Sequence, residues 1–159
     1  MVREDFSTII RKIRIISGSI LFAYVIMHLL NHSINIFSID LADAVRSSYF
    51  HPVWQNPVGL VLLYGSFVAH MILGFSSILT RKSFKMKAKD WIQIIFPVLA
   101  LLFLLQHIAA SFAITKIFGG EESYSLLFAV MNTDPPSEII IGAILFSLMT
   151  IFIWVHGVI

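Results

Sequence analysis

The chain has 159 residues, 58% hydrophobic and 13% charged, with a formal net charge of +2 and a mean hydropathy of +0.89. A water-soluble domain carries about a quarter of its residues as charges, and a disordered chain combines low hydrophobicity with high net charge, so both classes are excluded. The absence of cysteine excludes disulfides, cysteine zinc sites, iron–sulfur clusters and covalently attached c-type haem, and so small a net charge does not point to a nucleic-acid partner.

Four stretches free of Asp, Glu, Lys and Arg are long enough to cross a bilayer, which takes about 20 residues. They predict spans near residues 15–39, 57–80, 91–115 and 138–159, and hence an all-α, polytopic transmembrane bundle of four helices in a single domain over residues 1–159. The first span is too long for a signal-peptide core and lacks a small-residue cleavage site. Before the second, residues 50–56 read as an interfacial loop with Trp54 at headgroup level, and Pro57 is preorganised for a first helical turn. Residues 119–136 are the one stretch punctuated by Gly and Pro, and Tyr124 to Val130 within it read as a short amphipathic surface helix.

Basic residues set the expected orientation. Arg3, Arg11, Lys12 and Arg14 precede the first span, and Arg81, Lys82, Lys85, Lys87 and Lys89 join the second to the third. The other two connections hold Arg46 and Lys116 and most of the acids. Positive-inside bias therefore places the N-terminus and the 81–90 segment in the cytoplasm. Ile159 follows the last span with no basic anchor, which reads as a membrane domain cut from a longer chain, or as a protein with a flush end.

Six histidines sit in this apolar chain. His28, His70, His107 and His156 fall one to each span, His32 lies one helical turn beyond His28, and His51 reads as a solvated residue of the external loop. An ionisable group inside a span is costly, and so is a functional hypothesis by default. A single such histidine reads equally as a helix–helix hydrogen bond, but one in each of four spans is harder to treat so. At 1.5 Å rise, His28 and His107 lie about 20 and 24 Å from the inner ends of their spans, and His70 and His156 about 20 and 26 Å from the outer ends. The four sort into an outer pair, His28 with His107, and an inner pair, His70 with His156.

Helical periodicity supports inward-facing stripes. Ser17, Leu21, Tyr24, His28, Asn31, His32 and Asn35 share one face of the first span. Ser66, His70, Gly74 and Ser77 share one on the second, and Phe103, His107, Ala110 and Ser111 one on the third. Small residues beside a histidine give a flat ligand access to the backbone, although they also serve ordinary helix packing. Two imidazoles from different helices at one depth in an apolar bundle describe bis-histidine ligation of b-type haem, and two such pairs make two haems. Tetrahedral zinc needs three or four ligands at one depth, and a proton relay would want Asp or Glu among the histidines, which the spans lack.

The residues Arg14-Ile15-Ile16-Ser17-Gly18, Tyr24 and His28-Leu29-Leu30-Asn31-His32 resemble the first helix of the succinate dehydrogenase and fumarate reductase cytochrome b anchors, and His70-x-x-x-Gly74 resembles their second-helix haem ligand. The chain looks still more like the diheme-b anchors of some bacterial class III adenylate cyclases, through Ser17-Gly18, His28-Leu29-Leu30-Asn31-His32, Asn56-Pro57-Val58-Gly59, Leu63-Tyr64-Gly65, His70, Gln106-His107 and Trp154-Val155-His156-Gly157. The resemblance covers almost the whole chain. It implies two b-type haems, held by His28 with His107 and by His70 with His156, with His32 as the rival to His28 or a neighbour of quinone. It implies six helices and a cytosolic cyclase domain, of which this chain would hold the first four helices.

The resemblance also implies electron exchange with membrane quinone and redox control of a cytosolic output domain, in the same chain or a partner subunit, with a homodimer expected if that output is a class III cyclase. Nothing in these residues cyclises ATP, so enzyme activity would belong to the longer protein. The dehydrogenase anchors follow the second-helix histidine with an Ile-Arg-His run and an Asp, where this chain has Phe75-Ser76-Ser77. Arg14 and Ser17 then mark a weak quinone site, against their plainer readings as an interfacial anchor and a packing hydroxyl. Arg14, Arg81 and Lys82 are candidates to pair with propionates of the inner haem. The alternatives are the quinone-reacting anchor subunit of a succinate dehydrogenase-like complex, and a haem-free transporter or structural subunit.

Overall fold

The computed structural model describes residues 2–113, 123–125 and 136–158. Every regular element among them is helical. The chain divides into two compact units, residues 1–82 and 83–159, and each is described by itself.

In the first unit, α1 (Val2–Ile34) packs against α4 (Pro57–Leu79), with α2 (Ile39–Val45), a π-helical turn (Arg46–Phe50) and α3 (His51–Trp54) between them in sequence. The start of α1 lies well before the predicted span. Phe6, Ile9, Ile10 and Ile13 recur at helical spacing among the charges, so the helix extends out of the apolar stretch on an amphipathic turn or two. It stops at Ile34, short of residue 39. There the amides of Asn35, Ile36 and Phe37 turn back onto the carbonyls of His32, Ser33 and Ile34. Ser38 then opens α2 as an N-cap, its Oγ accepting from Leu41 N at 3.2 Å.

Residues 50–56 are not the expected interfacial loop. They are largely helical, and Trp54 is buried. Its indole donates to Met27 Sδ at 3.4 Å and meets Tyr24 edge-on with ring centroids 5.3 Å apart. The hinge that brings it there is Asn56. Its Oδ1 accepts from Val58 N and Gly59 N at 2.9 and 3.0 Å, capping α4, while its Nδ2 donates to Pro52 O and Val53 O at 2.7 and 3.0 Å, closing the end of α3. One side chain thus satisfies orphan groups of two helix ends. Pro57 follows at the first helical position, as predicted.

In the second unit, α5 (Ala88–Phe112) packs against α6 (Pro136–Val158). Asp90 accepts from the backbone N–H of Lys87 at 3.3 Å, placing a carboxylate on the first turn of α5. Phe96 and Phe103 both meet Phe152, and His107 meets Phe146. Partner numbers fall as α5 advances, so the helices are antiparallel. Pro97 has no N–H to offer the Gln93 carbonyl, an interruption that membrane helices tolerate.

Four helices are long and apolar enough to cross a membrane: Phe6–Ile34, Pro57–Leu79, Ala88–Phe112 and Ile139–Val158. Most of their large side chains, including Phe22, Leu30, Val61, Ile72, Leu105 and Ile151, are exposed. The buried positions of the first unit include Ser17, Asn31 and Ser66. Apolar groups facing outward and small polar groups between helices are the membrane arrangement. The four helices fit a multi-pass membrane protein.

Candidate functional site

The predicted stripe on α1 faces inward. Ser17 and Asn31 are buried, and Leu21, Tyr24, His28, His32 and Asn35 are partly covered, whereas Phe22, Ala23, Ile26, Leu30 and Ser33 are exposed. The stripe holds two histidine environments. Gly18 lies against His70, and His28 follows ten residues later, about 15 Å further along the helix.

His70 of α4 rests on the Ser17-Gly18 step of α1. Its Nδ1 lies 3.3 Å from Ser17 Oγ, and Ser17 Oγ lies 3.1 Å from the carbonyl of Arg14. The Ser17 hydroxyl lies within hydrogen-bond reach of both the carbonyl and the ring, and the donor across the contact with His70 is set by the ring's tautomer. A Cβ at residue 18 would stand 3.1 Å from His70 Cε1, close enough that the ring would have to shift by a few tenths of an ångström. One turn nearer the helix start, Arg14 Nη2 donates to Ser77 Oγ at 2.6 Å, and Ser77 donates to Leu73 O at 2.7 Å. Arg14 thereby ties α1 to α4 beside its predicted role as an interfacial cation.

The second environment lies towards the end of α1. His28 Nε2 and His32 Nε2 are 3.0 Å apart with rings nearly perpendicular. The pair holds one shared proton, and neither ring alone has its tautomer fixed by this contact. Tyr24 stacks on His28 at 5.6 Å and 10°, and Phe50 lies 5.9 Å from it. Trp54 and Phe50 also flank Tyr24. Sequence reasoning missed this aromatic wall because residues 50–54 read as loop. Pro52, placed for a first helical turn, was the available signal. His51 is not simply solvated: its Nε2 lies 2.8 Å from Arg46 Nη1, and Arg46 also pairs with Asp43 at 3.4 Å.

In the second unit, His107 is partly covered and meets Phe146 edge-on at 5.2 Å. His156 is also partly covered, in the last turn of α6. Some small residues predicted to flank the histidines open outward instead. Gly74 and Ser77 on α4, and Ala110 and Ser111 on α5, are exposed, and a Cβ at Gly74 would meet nothing within 4 Å. Packing against α1 covers Ser66 and His70 but not the last turns of α4. Arg81 and Lys82 are exposed. The surface helix expected over Tyr124 to Val130 falls mostly outside the described residues, though Tyr124 itself is buried.

Among the described residues, no group of three or more His, Cys, Asp or Glu side chains is placed to hold a metal ion. The fold and these histidines define a class, a polytopic helical membrane protein with polar groups held between its spans. No protein-family model, curated protein or solved structure matches the chain.

Proposed function

We propose that the chain is a diheme b-type cytochrome anchor of a bacterial inner membrane, with its N-terminus in the cytoplasm. It exchanges electrons with membrane quinone and acts as a redox-sensing module for a cytosolic output domain, for which an adenylate cyclase is the candidate. The observation that carries the reading is His70. A ligand histidine typically gives its other ring N–H to a hydrogen-bond acceptor, which fixes tautomer and orientation, and Ser17 Oγ stands 3.3 Å from His70 Nδ1, placed for that role. The residues present therefore fit a haem, which when bound supplies one-electron chemistry at iron.

In this reading His28, His70, His107 and His156 each offer one imidazole. The pairing of His28 with His107, and of His70 with His156, rests on the depth count in the sequence. Ser17 and Gly18 flank the His70 ring, and Tyr24 and Phe50 lie against His28, with Trp54 packed on Tyr24 behind them. Arg14, bonded to Ser77, keeps a positive charge one turn from Ser17, suited to a propionate or a quinone oxygen. His32 stands next to His28 as its rival.

A second reading has its own observation. The Nε2 atoms of His28 and His32 already pair with one another, as they would if these histidines were packing groups of a haem-free subunit. A reduced-minus-oxidised absorbance spectrum of the purified protein decides between them. The proposal expects a b-type signal, and replacing His28, His70, His107 or His156 by Ala each removes one haem and leaves the other partly intact. No b-type signal refutes the proposal. Loss of haem with His32→Ala but retention with His28→Ala transfers the ligand role to His32.

A further inference from the structure

We infer that Ser17 and Gly18 are positioning residues that hold His70 in the Nδ1–H form with Nε2 as its lone-pair atom. The inference builds on the haem proposal for its purpose but not for its geometry. Ser17 has one hydroxyl proton and two polar neighbours, Arg14 O at 3.1 Å and His70 Nδ1 at 3.3 Å. Both contacts are hydrogen bonds only if Ser17 donates to the carbonyl and accepts from the ring. The serine is buried, so water does not compete for its lone pairs. Gly18 adds a second, steric constraint. A Cβ there would stand 3.1 Å from Cε1, the ring atom between the two nitrogens, so any side chain at residue 18 requires the ring to give by a few tenths of an ångström.

The clasp between Arg14 and Ser77 stands about one turn away on α1 and two turns away on α4. It holds α1 and α4 in the register that brings Ser17 to His70. The histidine pair on α1 differs: His28 and His32 face each other through Nε2 at 3.0 Å, and either ring can be the donor. Of the two environments in this unit, the one at His70 is set in advance to present Nε2 to an electrophilic metal centre.

The test uses the full chain in lipid nanodiscs with 15N-labelled histidine, first without haem. The His70 resonances, assigned by their loss in His70→Ala, are expected to show a protonated Nδ1 and an unprotonated Nε2. Ser17→Ala is expected to shift the ring toward the opposite tautomer, and Ser17→Thr, which keeps the hydroxyl, to restore the original one. In haem-loaded protein, Ser17→Ala is expected to weaken binding at the His70 site by about 10- to 100-fold and to shift the midpoint potential of that haem, again with rescue by threonine. Gly18→Ala is expected to alter the low-spin spectrum of the same haem and leave the other unchanged. A wild-type ring protonated at Nε2, or a tautomer indifferent to Ser17→Ala, overturns the inference even if haem binds. A protein that binds no haem overturns the functional proposal, while the tautomer measurement still decides the role of Ser17.

Discussion

Gly59 is the position where a single methyl group should do most damage. It is the third residue of α4 and is buried where α3 folds back over the helix start. A Cβ there would collide with the Val53 carbonyl oxygen and come within 2.9 Å of Trp54 Cα and 3.0 Å of Trp54 C. All three are backbone atoms, so no side-chain rotation relieves the overlap. The bend cannot open freely either, because Asn56 bonds both flanking helix ends. Overpacking costs about 1–3 kcal/mol, and the better helix propensity of alanine returns at most about 1 kcal/mol, less in a first turn. Gly59→Ala is therefore expected to lose about 1–2 kcal/mol in reversible unfolding from mixed micelles. It should also shift the emission of Trp54 in a variant that keeps only that tryptophan, since α3 must lift Trp54 off Tyr24 and Met27. Gly65→Ala is the control, because a Cβ at Gly65 meets nothing within 4 Å. Equal stability of the two variants, or a Gly59→Ala protein as stable as wild type, would refute the reasoning.

Asn56→Ala removes the acceptor for two α4 amides and the donor to two α3 carbonyls, and should cost about 1–2 kcal/mol in the same unfolding assay. Asn56→Asp keeps the cap but not the donors, and should fall between that variant and wild type; an aspartate variant no better than alanine would show that capping is not what matters. His32→Ala releases His28 from a hydrogen bond with a net worth of about 1 kcal/mol. If His28 is the ligand, haem titration should show its site loading as tightly as in wild type or up to about fivefold tighter. A large loss would instead make His32 the ligand.

The four long helices were legible because each is an uninterrupted apolar run bounded by charge, and Pro57 marked one start to the residue. The inward stripe of α1 was legible because polar residues at three- and four-residue spacing have nowhere else to go in lipid. Helix ends were not: α1 begins at Val2 on a face of isolated apolar residues among charges, and ends at Ile34, after which Ser38 caps a separate helix. The aromatic wall at His28 was hidden because it depends on a bend. Whether Trp54 reaches Tyr24 is decided by Gly59 and Asn56, whose roles appear only when α3 and α4 are seen to touch. Likewise the partner of Arg14 is Ser77, 63 residues away, and no local spacing predicts it.

These contacts also explain how one helix serves two histidine environments independently. Helix α1 is fastened at Arg14 through Ser77 and at Met27 through Trp54, two points thirteen residues and about 20 Å apart. His70 sits near the first fastening and His28 beside the second. Between them α1 behaves as a hydrogen-bonded rod, so disturbing one fastening acts first on the histidine beside it. Breaking the Arg14 clasp should let the Ser17-Gly18 step slide under His70 while the Tyr24, Phe50 and Trp54 contacts persist. Straightening the bend at Gly59 should open the wall at His28 while Ser17 still faces His70. A multi-pass fold with few large buried side chains has little core to spread such changes, and this confines each one to its own end of the helix pair.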